Sequence, residues 1–182
     1  MRVIAGRCRS LPLKTVEGPD TRPTTDRIKE TLFNILMPYI PGCRFLDLFA
    51  GSGGIGIEAL SRGASFCCFV DNSKKAVRVI RDNLKFTKLE ADAVVLQTDA
   101  AAAAGSLKGP FDVIYLDPPY GMGLEKEVLS RLRMSGCIAD DAIFIVEESL
   151  DADFSWAERA GYEIYRVKRY KTNQHVFLRF AR

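Results

Sequence analysis

The spacing of apolar residues changes twice along this chain. From Arg44 onward, short apolar runs with strand character occupy residues 44–48, 65–70, 93–97, 111–116 and 142–147. Between them lie segments with helical spacing, such as residues 55–62 and 74–86. Strands that alternate with helices predict a parallel sheet covered on both faces. The rhythm breaks near the end. Residues 162–168 and 174–180 are both strand-like with little between them, which predicts an antiparallel hairpin closing the sheet. Before Arg44, residues 2–5 and 11–16 read as short extended pieces, and Glu17-Gly18-Pro19-Asp20 turns the chain. Thr24 or Thr25 can cap a helix that runs to about Met37 and stops at Pro38 and Pro41. Ala100–Ala104 favours a helix start. The expectation is one α/β domain over residues 1–182, with residues 1–40 as an N-terminal extension packed on it.

Composition narrows the class. The chain has 182 residues, 47% hydrophobic and 27% charged, as in a soluble globular protein. That length supplies a core without disulfide or metal. No apolar run is long enough to span a bilayer, and the N-terminal residues lack a signal-peptide stretch, so a cytoplasmic protein is expected. The five cysteines include no C-x-x-C pair and the chain has a single histidine, His175; free thiols and no metal site are expected. Charge is uneven. Residues 1–30 hold seven Arg/Lys and four Asp/Glu, and residues 166–182 hold six Arg/Lys and no acid, so the centre is acidic. Basic ends on an acidic body suggest a rim that binds a polyanion.

Two motifs carry the chemistry. In the first, Phe45–Leu48 runs into Phe49-Ala50-Gly51-Ser52-Gly53-Gly54-Ile55-Gly56. Gly51, Gly53 and Gly56 satisfy G-x-G-x-x-G, which by itself suits a dinucleotide, and Asp71 stands about twenty residues on, where a ribose partner belongs. Asp47 changes this reading. A carboxylate before the glycines would repel a pyrophosphate but suits a ligand with an ammonium group. Asp99, with Ala100 beside it, follows the third strand and can meet a nucleoside. Three acids after three successive strands fit S-adenosylmethionine.

In the second motif, Asp117-Pro118-Pro119-Tyr120 follows the fourth of the central strands. Two prolines fix two φ angles and remove two N–H donors, and Pro118 pushes Asp117 towards an extended conformation. The turn then offers a carboxylate, a free carbonyl and an aromatic face. An exocyclic base amine is a poor nucleophile because its lone pair is delocalised. The Asp117 side chain and the Pro118 carbonyl can accept its N–H groups, and Tyr120 can stack on a flipped base.

These residues resemble the Rossmann-like class I methyltransferases that act on base amino groups. Arg2-Val3-Ile4-Ala5-Gly6, Arg22-Pro23-Thr24-Thr25-Asp26-Arg27 and Glu30-Thr31-Leu32-Phe33-Asn34 narrow the resemblance to the RsmD group of bacterial 16S ribosomal RNA guanine-N2 methyltransferases. The resemblance implies a mainly parallel seven-stranded sheet with an antiparallel last strand and an N-terminal hairpin and helix extension. It implies S-adenosylmethionine as cofactor and 16S rRNA in an assembling or assembled 30S subunit as partner. Arg22, Thr24, Thr25 and Arg27 would then lie near cofactor and RNA. Cofactor contacts are expected from Thr24, Asp47, Phe49, Ala50, Gly51, Gly53, Gly56, Asp71, Asp99 and Ala100. RNA contacts are expected from Arg7, Arg9, Arg22, Arg27, Lys168, Arg169 and Tyr170. Some positions depart from the family pattern: Asp71 stands where Glu is frequent, Tyr120 where Phe is frequent, and Lys171 where Gly is expected. A monomer is expected. Competing readings are an adenine-N6 methyltransferase on DNA or RNA, a non-catalytic ribosome-assembly factor, and an NAD-dependent oxidoreductase that Asp47 disfavours.

Overall fold

The computed structural model describes residues 1–16 and 25–182. The helices are α1 (Asp26–Leu36), α2 (Gly54–Ser61), α3 (Lys74–Thr87), α4 (Ala100–Ala104) and α5 (Leu124–Ser135). The strands are β1 (Arg44–Leu48), β2 (Phe66–Asp71), β3 (Ala93–Gln97), β4 (Phe111–Leu116), β5 (Ile138–Ser149), β6 (Tyr162–Arg169) and β7 (Asn173–Phe180). They form one seven-stranded sheet in the order β3-β2-β1-β4-β5-β7-β6. The first five strands run parallel, and β7 is antiparallel to both of its neighbours. The antiparallel strand is therefore the last in sequence but not the outermost; β6 forms the edge.

Each central strand is buried on both faces, which is why its sequence reads as a continuous apolar run. Successive side chains feed two cores. One holds Phe45, Val113, Ile143 and Phe177 under α1, α2 and α3; the other holds Leu46, Ile114, Phe144 and Leu178 under α4 and α5. In α3, Ala76, Val77, Ile80 and Leu84 make the buried stripe, and the Ser73 hydroxyl caps the helix by accepting from Ala76 N–H. In α1, Thr25 is the cap, its hydroxyl accepting from Ile28 N–H.

The expected N-terminal hairpin is present but short. Residues 2–5 and 11–16 make a single bridge, Arg2 to Pro12, instead of a ladder. The reason is where the backbone groups go. Val3 and Leu13 donate across the hairpin, to Leu11 O and Met1 O, while Ile4 and Ala5 donate to the Glu58 carboxylate and Cys8 to the Ser61 hydroxyl, so the arm is bonded both to itself and to α2. Strand β5 is longer than the apolar run 142–147. It starts at Ile138, paired with Phe111 across an irregularity in register, and continues to Ser149 because Glu148 and Ser149 still pair with β7.

Candidate active site

The carboxyl ends of β1, β2, β3 and β4 bring the expected residues to one edge of the sheet. Asp47, near the end of β1, is fully buried, and its Oδ2 accepts from Gly56 N–H at 2.9 Å. It therefore fastens the start of α2 to β1. Burial pushes its carboxyl up to about 8; the Gly56 N–H opposes this and the nearby Asp71 charge adds to it. After β1 the backbone turns through positive φ at Phe49 (+62°), Gly51 (+56°) and Gly53 (+79°). Two glycines of the motif do different work. A Cβ at Gly51 would meet nothing within 4 Å, so this part of the loop faces open space. A Cβ at Gly56 would lie 2.3 Å from Phe69 Cε1 and 2.6 Å from Cys67 Sγ, so this glycine lets α2 pack on β2.

Asp71 closes β2 and is half-buried. Its Oδ2 accepts from Gly51 N–H and its Oδ1 from Ser73 N–H, both at 2.8 Å. One carboxylate thus ties the glycine turn to the turn after β2 and keeps unused lone pairs. Asp99 is exposed and caps α4, with Oδ1 accepting from Ala101 and Ala102 N–H at 2.9 and 3.1 Å. Ala100 buries its methyl in the core. Ala50 packs in the other core and donates its N–H to Val70 O.

The Asp117-Pro118-Pro119-Tyr120 turn lies beside this loop. Asp117 N–H donates to Leu48 O at 3.4 Å, linking the end of β4 to the end of β1. Pro118 is buried, Pro119 is exposed, and the Tyr120 side chain is 42% exposed. Burial holds the Asp117 carboxyl well above the usual range, and the charges of Glu147, Asp47 and Glu148 add to the shift.

Two consecutive residues at the end of β5 hold this turn. Tyr120 Oη donates to Glu147 Oε1 at 2.9 Å, and Gly121 N–H donates to Glu148 Oε2 at 3.1 Å. Adjacent strand residues point to opposite faces, so the turn is gripped from both sides of the sheet. Glu147 is embedded in a polar network. Tyr115 Oη donates to Oε2 at 2.5 Å, Asn173 Nδ2 donates to Oε1 at 2.6 Å, and His175 Nε2 lies 3.0 Å from Oε2. Tyr170 Oη lies 3.2 Å from His175 Nδ1. Burial alone would raise Glu147, but the hydrogen bonds from His175, Tyr115 and Tyr120, with the His175 charge, hold it below the usual carboxylate range.

The basic residues are not all brought together. Tyr170 reaches the turn's supporting network through His175, and Lys168 and Arg169 precede it on β6. Arg27 is exposed on α1. Arg7 donates its N–H to Ser61 O at the far end of α2 and pairs its guanidinium with Asp92 at 2.7 Å. Arg7 and the neighbouring exposed Arg9 therefore sit at the opposite end of the sheet from the turn. Arg22 and Thr24 lie outside the described residues. All five cysteines are free and buried. Among the described residues, no cluster of His, Cys, Asp and Glu is arranged to hold a metal, and no helix is long and apolar enough to cross a membrane.

Sequence reasoning missed Glu147, Glu148, Asn173, Tyr115 and His175 as parts of the site. One signal was present: two adjacent carboxylates at the end of the apolar run 142–146, directly after Ile145-Val146.

The residues fit an adenosyl ligand with a cationic tail. Gly51 leaves room at the loop, Asp71 offers free lone pairs to hydroxyls, and the crowding of Asp117 with Glu147, Asp47 and Glu148 favours a cation that lets these carboxyl groups ionise. Such a surface opposes phosphate and suits a sulfonium and an ammonium.

Comparisons with known proteins place the chain in a family. A family model described as conserved hypothetical protein 95 matches residues 1–179. YlbH of Bacillus subtilis is 43% identical over 156 residues, covering 84% of this chain and 85% of that protein. Ribosomal RNA small subunit methyltransferase D of Escherichia coli is 36% identical over 151 residues, covering 83% of this chain and 76% of the relative. Among solved structures, yhhF from Escherichia coli superposes with a TM-score of 0.85 at 32% identity, covering 100% of this chain and 99% of that one.

Proposed function

The chain belongs to the family described as conserved hypothetical protein 95, the RsmD group, and on that premise we propose that it transfers a methyl group from S-adenosylmethionine to the exocyclic N2 of a guanine in 16S ribosomal RNA of the small subunit. The observation that carries the reading is the junction of two motifs. The turn bearing Asp117 is hydrogen-bonded to the end of β1, next to the glycine loop, on an edge rich in carboxylates.

When bound, S-adenosylmethionine supplies an electrophilic sulfonium methyl. The residues that would hold it are the main chain of Phe49–Gly53, with Asp71 at ribose hydroxyls, Asp99 and Ala100 at the base, and Asp47 and Thr24 near the amino-acid end. Gly56 contributes by bringing α2 close to β2. The acceptor amine would donate its N–H groups to the Asp117 carboxylate and the Pro118 carbonyl, which draws the nitrogen lone pair out of the ring. A carboxylate raised by burial recovers its ionised form when a cation arrives beside it. Pro118 and Pro119 keep the acceptor atoms rigid, so much of the rate comes from alignment. Tyr120 would stack on the flipped guanine.

Arg27, Lys168, Arg169 and Tyr170 are the RNA contacts nearest this edge, with Arg22 among the residues outside those described. Arg7 and Arg9, at the far end, would meet RNA only where the particle wraps that end. A single domain of this size, acting as a monomer in the cytoplasm, takes much of its specificity from the shape of the 30S particle.

The test is methyl transfer from labelled S-adenosylmethionine to small subunits from cells lacking such an enzyme, followed by digestion to nucleosides. Label in N2-methylguanosine is expected. Label in N6-methyladenosine would overturn the acceptor, and no label with cofactor bound would overturn the reaction. S-adenosylhomocysteine, and not NAD, is expected to raise the melting temperature.

A further inference from the structure

The aromatic residue of the turn is anchored in a way that the stacking role alone does not require. Tyr120 is 42% exposed, so its ring has room to move, yet its hydroxyl donates to Glu147 Oε1 at 2.9 Å. Glu147 itself cannot shift. Asn173 shares Oε1, while Tyr115 and His175 occupy Oε2. His175 is fully buried and lies opposite Glu147 in the β5–β7 register, and its other ring nitrogen meets Tyr170 Oη. A buried carboxylate is costly unless each lone pair is used, and here both oxygens are shared.

We propose that Glu147 is a positioning residue: held by His175, Asn173 and Tyr115, it fixes the Tyr120 ring through the phenolic hydroxyl at the angle the acceptor base needs beside Asp117. The inference rests on the methyltransferase reading for its kinetic arm and stands apart from it in its spectroscopic arm. It also gives the extra hydroxyl of Tyr120 a purpose that a phenylalanine could not serve.

A double-mutant cycle tests it. Tyr120→Phe keeps the ring and removes the tether; Glu147→Gln keeps the size and removes the charge. Each is expected to lower kcat about tenfold, with little change in cofactor affinity, and the double variant to fall no further than the worse single. Losses that multiply to about a hundredfold would overturn the proposal, because hydroxyl and carboxylate would then act independently. The activity-free arm uses 13Cζ-tyrosine NMR on the full chain, with the Tyr120 signal assigned by its loss in Tyr120→Phe. Glu147→Gln is expected to shift and broaden that signal; an unchanged signal would overturn the tether. If Glu147→Gln does not fold, Asn173→Ala serves in its place, since it releases the same carboxylate oxygen. A wild-type protein inactive on every RNA, with the Tyr120 signal still dependent on Glu147, would reject the reaction and keep the tether.

Discussion

Lys29 Nζ lies 3.2 Å from Glu58 Oε2, with the two side chains 1% and 0% exposed. The pair joins α1 to α2, and it does not stand alone. Lys29 also donates to Arg2 O, while Glu58 accepts from Ile4 N–H, Ala5 N–H and Arg62 Nε. Burial lowers the Lys29 ammonium and Glu58 counteracts that. Removing the carboxylate strands a buried cation and two backbone donors. Glu58→Ala is expected to cost about 3–5 kcal/mol in urea unfolding. A cost under about 1 kcal/mol would show that the arm and α1 are held by apolar packing alone.

Gly56 separates the packing role of the glycine motif from its ligand role. The Cβ of an alanine would enter Phe69 and Cys67, so Gly56→Ala is expected to destabilise by about 1–3 kcal/mol. Gly51→Ala meets open space and affects binding more than packing, although its positive φ adds strain. Chemical denaturation with isothermal titration of S-adenosylhomocysteine distinguishes the two; equal losses of stability would reject the division.

Asp47 predicts an unusual pH dependence. Its folded-state carboxyl is pushed up to about 8, whereas an unfolded one titrates near its ordinary value of 3.8. Between those values the unfolded chain has lost a proton that the native state keeps. This group's contribution is therefore fully present below the unfolded value and is lost as pH rises towards the folded one, at up to about 1.4 kcal/mol per pH unit. Asp47→Asn keeps an acceptor for Gly56 N–H and has no charge to bury. Urea midpoints from pH 5 to 8 are expected to fall less steeply in the variant. Parallel slopes would mean that Asp47 is ionised throughout.

Asp117→Asn tests the reacting edge. The amide keeps one acceptor but loses charge, and its NH2 presents donors towards an amine that also donates. A loss of about a hundredfold or more in single-turnover methyl transfer is expected, with cofactor affinity within a few-fold of wild type. A large loss of cofactor affinity with a normal single-turnover rate would move Asp117 from the acceptor to the cofactor.

The parallel half of the fold was legible because doubly covered strands leave unbroken apolar runs: β1, β3 and β4 match their sequence-based limits residue for residue. Asp47, Asp71, Asp99 and Asp117 were legible as acids at strand ends. Their shared structural work was not. That Asp71 binds Gly51 N–H and Asp47 binds Gly56 N–H depends on how strands far apart in sequence line up. The Glu147 network was hidden for the same reason. Residues 115, 120, 147, 173 and 175 meet only through the pairing of β5 with β4 and β7. The attachment of the arm was not legible, because a pattern of extended residues does not say which N–H groups cross to the other strand, as those of Val3 and Leu13 do, and which reach the side chain of a helix, as those of Ile4 and Ala5 do.

The outer strand β6 has a further consequence for association. Among the described residues its far edge is unpaired, an open template on which a second copy of the same strand could add. Arg166, Lys168 and Arg169 line its second half. An identical strand brings identical cations, so self-addition meets repulsion, while a polyanion meets attraction. The same few side chains would thus disfavour self-addition and favour a phosphate backbone at one edge.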